Sequence, residues 1–353
     1  MHVVILVDPE IPVPPRLYGG IERIAAQLVN ELQARGHQVT LFANPESTAP
    51  CRVMGWAGRS SQSTADTLRN AAQLGAELRR LDLREVVVHS FARLAYLTAW
   101  LPRRLAVVQS YQRAITPRSV VLGHGLSRGR LQLTACSARC AASGDVIGHW
   151  HVVYNSVDLD TYQPTTTVDS EAPLVFLGRV ERIKGPHHAV EVARRSGRRL
   201  VIAGNLPETG PDAQFARSLV ASLDGERARY VGPVDDSQKN ALLGRAAALL
   251  MPIEWEEPFG IVMAEALACG TPVLGLARGS VPEVVEHGRT GFVSHDVDEM
   301  VGHVGRIDEL DRAACRESAR RRFSSSVMAE GFLDVYRAAL RAQHLPSVEA
   351  AAP

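Results

Sequence analysis

The same strand–helix–strand passage occurs twice in this chain, and that repetition limits its fold more than any other feature. Val3 to Val7 is an unbroken apolar run, which suits a strand buried on both faces of a parallel sheet. After a proline-rich loop, Ile21, Ile24, Ala25, Leu28, Val29 and Leu32 recur at helical spacing until Gly36 closes the helix, and Gln38 to Ala43 reads as the next strand. The events restart with the apolar run Leu174 to Leu177, a loop, a helix around His188 to Arg195 and a strand over Leu200 to Ala203. With 353 residues the chain is too long for one small core and suits two domains of about 150 residues each. The expectation is α/β, with two Rossmann-like doubly wound domains. The polar segment Leu159 to Pro173, with Pro164, three threonines and two acids, reads as the linker, so the boundaries are drawn at 1–163 and 164–324.

Composition narrows the function. Lysine plus arginine number 39 against 38 acids, so no nucleic acid is implied as an obligatory partner. The arginine clusters at 194, 195, 198 and 199 and at 320 to 322 read as solvated helix faces. No apolar run approaches the roughly 18 residues of a membrane span, although peripheral membrane contact is left open. Met1-His2 leads straight into a strand, so the expected location is cytoplasmic. Five cysteines, an odd number, fit a reducing compartment, and Cys136 and Cys140 lack partners at zinc-site spacing.

Glu257-Pro-Phe-Gly-Ile-Val-Met-Ala-Glu265 is the stretch with the most chemical content. A helix is expected to start near Ile261, because the small and apolar run that follows ends on Gly270 with Pro272 behind it. The N–H groups of Gly260, Ile261 and Val262 then point outward with the positive end of the helix dipole, which makes a seat for a phosphate. Glu257 lies in the loop beside that seat and Glu265 one turn into the helix, both free to hold sugar or ribose hydroxyls. The plainer alternative is that both are solvated charges favoured by the dipole.

A second signal is scarcity. The chain has two lysines, Lys184 and Lys239, against 37 arginines. Lys184 stands in Gly178-Arg-Val-Glu-Arg-Ile-Lys-Gly185, directly after the strand Leu174 to Leu177. Strand ends of this kind carry ligands in open α/β sheets, and there Arg179 offers a planar fork and Lys184 a point charge to a diphosphate. Two surface cations on a loop are the alternative. Asp158-Leu-Asp160 and Asp296-Val-Asp298 do not follow buried strands and are rejected as metal–diphosphate sites. A dinucleotide-binding reading also fails, because the loop after the first strand is Pro12-Val-Pro-Pro-Arg-Leu-Tyr-Gly-Gly20 rather than Gly-x-Gly-x-x-Gly. Gly19-Gly20 before a helix can still bring backbone close to a sugar or a phosphate, and Glu22 sits in that helix's first turn.

The order Gly-Arg-x4-Lys-Gly, Glu-x7-Glu with Pro-Phe-Gly, Gly270-Thr-Pro-Val273, Pro282-Glu283 and His287-Gly-Arg-Thr-Gly-Phe292 resembles the family 4 retaining glycosyltransferases. Tyr18-Gly-Gly-Ile-Glu22 and Tyr154-Asn-Ser-Val-Asp158 look like that family's acceptor-side glycine loop and interdomain hinge, and the likeness is nearest to antibiotic-pathway and lipopolysaccharide-type members. The resemblance implies a GT-B fold, with an acceptor-side domain and a donor-binding domain facing across a cleft. It also implies a last helix, 325–345, packing back on the first domain, for which Val327 to Leu340, with Phe332, Val335 and Tyr336, is the candidate. The implied reaction is retaining, metal-independent hexosyl transfer from a nucleotide diphosphosugar donor to a hydroxyl-bearing acceptor, without a cofactor.

Site roles follow residue by residue. Arg179, Lys184 and Glu257 are the expected catalytic set. Glu265, Phe259, Gly260, Ile261 and Val262 are expected to hold the nucleotide sugar, with Gly204 and Val234 where the base packs. Gly19, Gly20, His89, Arg93 and Arg113 mark the acceptor side. The family's His-x-His is replaced by His89-Ser-Phe91, so the second imidazole's role falls to His89, Arg93 or Gln112 and Arg113. Ser280-Val-Pro-Glu283 reads as a capping box. A sugar-nucleotide epimerase and a non-catalytic sugar-nucleotide binder remain as alternatives. A phosphorylase is excluded for want of a lysine after Lys239.

Overall fold

The structure is a computed structural model that describes residues 1–16, 19–144 and 147–344. Tyr18 and position 345 lie outside the described residues. The chain forms two compact units, Met1–Asn155 with the segment from Ser325, and Ser156–Ser324.

The first unit holds β1 (His2–Leu6), β2 (Gln38–Ala43), β3 (Arg52–Gly55), β4 (Val86–Ser90), β5 (Ala106–Tyr111), β6 (Gln132–Ala135) and β7 (His149–Val152) in one parallel sheet. Its order is β3-β2-β1-β4-β5-β6-β7. Val3, Val4, Ile5 and Leu6 are fully buried at its centre, as an unbroken apolar run requires. The helix Gly20–Ala34 buries Ile24, Ala25, Leu28, Val29 and Leu32. Strand order reverses between β1 and β4, so the loops after these strands, with Asp8 and Arg93, form the switch-point edge where ligands bind in such sheets.

The helix Ser325–His344 completes this unit, packing on β4, β5 and the helix Gly20–Ala34. Its start is pinned where Ser325 Oγ donates to Glu31 Oε1 (2.6 Å) and Arg35 Nη2 donates to Ser326 Oγ (2.9 Å). Its middle closes over His89. The His89 ring is fully buried, with Nδ1 2.7 Å from Tyr336 Oη and Nε2 2.6 Å from Ser110 Oγ. Phe91 is buried as well and packs edge-on against Phe332, at 5.9 Å between centroids. His89 therefore leaves the acceptor-side set: both its nitrogens are engaged inside the core. The phenyl ring at position 91 is there because the last helix needs an apolar surface to pack on.

Burial pushes the His89 imidazole down to about 3. As pH falls from near 6.5 toward 3, the unfolded chain takes up a proton that the folded chain refuses. Stability from this residue is thus full above the unfolded value and declines on acidification, by at most about 1.4 kcal/mol per pH unit. Tyr336→Phe strands His89 Nδ1 and should cost about 1–3 kcal/mol at neutral pH. Urea unfolding measures the loss, and an unchanged midpoint would remove the network from the stability argument.

The second unit is a six-stranded parallel sheet of β8 (Leu174–Leu177), β9 (Leu200–Ala203), β10 (Ala228–Tyr230), β11 (Ala248–Met251), β12 (Val273–Leu276) and β13 (Gly291–Ser294). The order β10-β9-β8-β11-β12-β13 reverses between β8 and β11. Leu174, Phe176, Val192, Leu200, Ile202, Leu250, Leu274 and Phe292 fill its core.

Three expectations need correction. The chain enters the second unit at Ser156, ahead of the boundary drawn at 163/164. The polarity of the segment hid two anchors there: Val157 N–H donates to Phe323 O (2.8 Å), and Tyr162 is buried. Arg322 is not on a solvated face, since its Nη1 donates to Val284 O at 3.1 Å. Ser280 forms no capping box, because its hydroxyl donates instead to Phe259 O at 2.8 Å. The two Asp-x-Asp sequences serve local structure. Asp158 accepts from Asp160 N–H and the Thr161 hydroxyl, and Asp296 caps the helix Val297–Val304 through Glu299 N–H.

Candidate active site

The switch point of the second unit sets the loop after β8 beside the loop after β11. The β8 loop ends in a 3-10 turn, Arg182–Lys184, and the β11 loop runs from Pro252 to Gly260 into the helix Ile261–Ala268. Glu254 N–H donates to Ile183 O at 2.8 Å, which fixes the loops to each other. Lys184 and Glu257, 73 positions apart in sequence, meet there with Nζ 2.5 Å from Oε2. Trp255 Nε1–H donates to the same oxygen at 3.0 Å, and the Lys184 ammonium stands 4.5 Å from the centre of the Trp255 ring. Glu257 is buried, and no described residue bonds its Oε1.

Gly260 ends the loop at φ +69° as the cap of the helix Ile261–Ala268. A glycine cap has no side chain to accept from the first turn. The N–H groups of Gly260, Ile261 and Val262 accordingly have no acceptor among the described residues. These are the N–H groups at which the sequence reading expects an anion seat. Its backing is built from Gly279 and Ser280. Gly279 lies at φ +53°, where an added Cβ would stand 2.2 Å from Glu257 N, so only glycine lets that turn close. Ser280 N–H donates to Glu257 O at 3.0 Å.

One turn into the helix, Glu265 is buried with Oε1 accepting from Tyr162 Oη (2.8 Å) and Lys239 Nζ (2.6 Å). Lys239 also pairs with Asp236 Oδ1 at 2.9 Å, on the helix Asp236–Gly244. No described residue bonds Glu265 Oε2. The chain's two lysines thus each hold one of the two glutamates, and each carboxylate keeps one oxygen open. A bare carboxylate pair beside a phosphate would repel it. Paired in this way, the two glutamates can accept from hydroxyls at small electrostatic cost.

The remaining expected residues divide. Arg179 is partly exposed at the β8 end and pairs with Glu181 at 2.7 Å. Gly204, at φ +136°, faces Gly178 O, 1.9 Å from where a Cβ would be, so its backbone packs directly on the start of the Arg179 loop. Val234 is half-buried in the segment after β10. Phe259 leaves the ligand-contact set. Its ring is buried edge-on against Phe323 at 5.6 Å, which anchors the loop from behind.

In the first unit, Gly19 and Gly20 open the helix Gly20–Ala34, and Arg93 N–H donates to Asp8 Oδ1 at 3.3 Å. Arg113 Nη2 lies 3.7 Å from Asp8 Oδ2. Burial, with Glu10 nearby, raises the Asp8 carboxyl above its usual value, and burial raises Glu22 in the same way. The sequence reading missed Asp8, although an acid immediately after a buried strand is the visible signal. It also gave no role to Lys239, Trp255 or Tyr162, whose contacts with Glu265 and Lys184 join residues remote in sequence.

The Glycosyltransferase Family 4 profile matches residues 18–161 and the Glycosyl transferases group 1 profile matches residues 162–322. The chain belongs to the family 4 glycosyltransferases. An alpha-maltose-1-phosphate synthase of Mycobacterium tuberculosis is 33% identical over 218 residues, and a D-inositol 3-phosphate glycosyltransferase of Mycobacterium avium is 32% identical over 211 residues. These matches cover 53% and 54% of this chain, which spans 56% and 49% of those relatives' lengths. Among solved structures, a glycosyltransferase involved in avilamycin A biosynthesis is similar, with TM-score 0.71 and 25% identity, over 96% of this chain and 98% of that one. Sucrose-phosphate synthase from Thermosynechococcus elongatus shares the fold at TM-score 0.77 and 19% identity, over 95% of this chain and 98% of that one. Family 4 members of this kind have the GT-B architecture, and the two doubly wound sheets described above are its parts.

Proposed function

We propose that this protein transfers a hexosyl group from a nucleotide diphosphosugar to an acceptor hydroxyl, with retention of configuration and without a metal ion. The observation that carries the reading is the set of three unengaged N–H groups at Gly260 to Val262 beside the Lys184–Glu257 pair. The β-phosphate sits on those amides. Lys184 and Arg179 take up the negative charge that grows on it as the bond from the anomeric carbon to the phosphate oxygen breaks. Glu257 Oε1 accepts from hydroxyls of the sugar, and Glu265 Oε2 from the ribose. The acceptor oxygen bonds to the anomeric carbon on the face that the phosphate leaves, and its proton passes to the departing phosphate oxygen. Glu257 is no covalent nucleophile in this scheme, because it lies on the phosphate side. Gly19, Gly20, Arg93 and Arg113 belong to the acceptor side, with Asp8 between the two arginines.

A neighbour of the same fold, HepE of Anabaena, has been solved with UDP-glucose, at TM-score 0.70 and 17% identity, which makes that donor the first to try. The test is a panel of nucleotide sugars followed by thermal melting. A ligand at 100 times its dissociation constant should stabilise the fold by roughly 2.7 kcal/mol. With the donor found, turnover should persist in EDTA, since two cations and a helix N-terminus supply the charge that a metal would. Loss of turnover in EDTA that magnesium restores would overturn metal independence, and proton NMR of the product's anomeric centre decides retention.

A further inference from the structure

The helix Pro186–Ser196 begins directly behind the Lys184 loop and places His187 and His188 in its first turn. Both rings turn toward one oxygen of Glu254, with Oε1 3.3 Å from His187 Nε2 and 2.8 Å from His188 Nε2. The rings lie against each other, their centroids 4.1 Å apart, and one donor atom from each of the three residues lies within 4.8 Å of the others. No described residue bonds Nδ1 of either ring, and both Nδ1 atoms are buried. Among the described residues the Glu254 carboxylate is the one hydrogen-bond partner of both imidazoles, and His187 also packs edge-on against Phe215.

We infer that His187, His188 and Glu254 form a zinc site that fastens the β8 loop to the β11 loop. Two imidazoles and one carboxylate are a zinc-type donor set, and they leave a fourth position for water. Tetrahedral zinc with bonds of about 2.0–2.2 Å holds its ligand atoms about 3.3 Å apart. The His187–Glu254 separation is already 3.3 Å, the His188 contact opens by about half an ångström, and the two rings, whose centroids are 4.1 Å apart, swing outward to place both Nε2 atoms on the ion. Zinc on Nε2 moves each ring's proton to Nδ1. For His188, Glu191 Oε2, 3.9 Å from Nδ1, is the carboxylate placed to receive it. The backbone prepares the site, because the bond from Glu254 N–H to Ile183 O already joins the two loops at this level. The role is structural, since the ion would sit on the flank of the loops, outside the diphosphate seat at Gly260 to Val262.

The test uses the full chain stripped of metal, with zinc chloride as the only ligand. Calorimetry should give one zinc per chain at micromolar or lower dissociation constant, with zinc raising the melting temperature. Cobalt as a substitute should give the intense visible absorption of a tetrahedral ion. His188→Gln and Glu254→Gln should each weaken zinc binding at least about 10-fold. Their metal-free circular dichroism should match that of the parent protein. If Glu254→Gln does not fold, the His188→Gln comparison decides alone. Binding that needs millimolar zinc, or micromolar binding unchanged in the folded variants, would overturn the site.

Discussion

Lys184→Ala is expected to lower turnover by roughly 10²-fold or more, while the protein remains folded. The ammonium is held in place beside the loop that leads into the helix Ile261–Ala268, fixed between Glu257 Oε2 and the Trp255 ring. Its distance from developing charge matters most in the transition state, where the phosphate oxygen carries a full negative charge, so the loss should appear in kcat more than in donor affinity. Removal has a second consequence, because Glu257 is buried and would keep only the Trp255 N–H on that oxygen. A melting curve therefore accompanies the kinetics. Lys184→Arg supplies charge without the compact head that fits above the indole, and it should recover only part of the rate. Full turnover in a folded Lys184→Ala protein would remove the lysine from the mechanism.

Glu265→Ala and Glu257→Ala should separate the two functions proposed for these carboxylates. If Glu265 Oε2, which no described residue bonds, accepts from a ribose as proposed, its loss should weaken a free nucleoside diphosphate by roughly 1.5 to 3 kcal/mol, the range for a hydrogen bond to a charged group. Lys239 keeps Asp236 as a partner after this change, which spares the fold. Glu257→Ala should leave the diphosphate's affinity nearly unchanged and depress turnover with the intact donor, because its contacts exist only when the hexose is present. Calorimetry with the diphosphate alone distinguishes them. Equal losses, or a loss confined to Glu257→Ala, would mean that the donor lies in the opposite direction along the site.

Both sheets were legible because a parallel strand buried on two faces must be apolar throughout, as at Val3 to Leu6 and Leu174 to Leu177. The glycine cap and the free amides were legible for a similar reason, since Pro-Phe-Gly before an apolar run leaves the helix start little choice. Side-chain pairing was not. Nothing local to Lys184 announces Glu257, and nothing near Tyr162 announces Glu265; each contact depends on which strands become neighbours at the reversal between β8 and β11. His89 and Phe259 were misplaced for one shared reason. Each stands next to a ligand edge in sequence, yet the packing of a helix from elsewhere in the chain holds its ring inside the core.

The helix Ser325–His344 gives the molecule an unusual calendar. Residues 156 to 324 form a unit from one continuous stretch, so everything it needs has been translated before the helix Ser325–His344 is made. The unit that contains the N-terminus waits. Its sheet is translated first, but the tyrosine that bonds His89 and the phenyl ring that covers Phe91 arrive only with the last helix. Domains usually fold in the order in which they are synthesised. Of these two units, the one begun earlier is finished later, and until then its central strands lack the cover that the helix Ser325–His344 gives them.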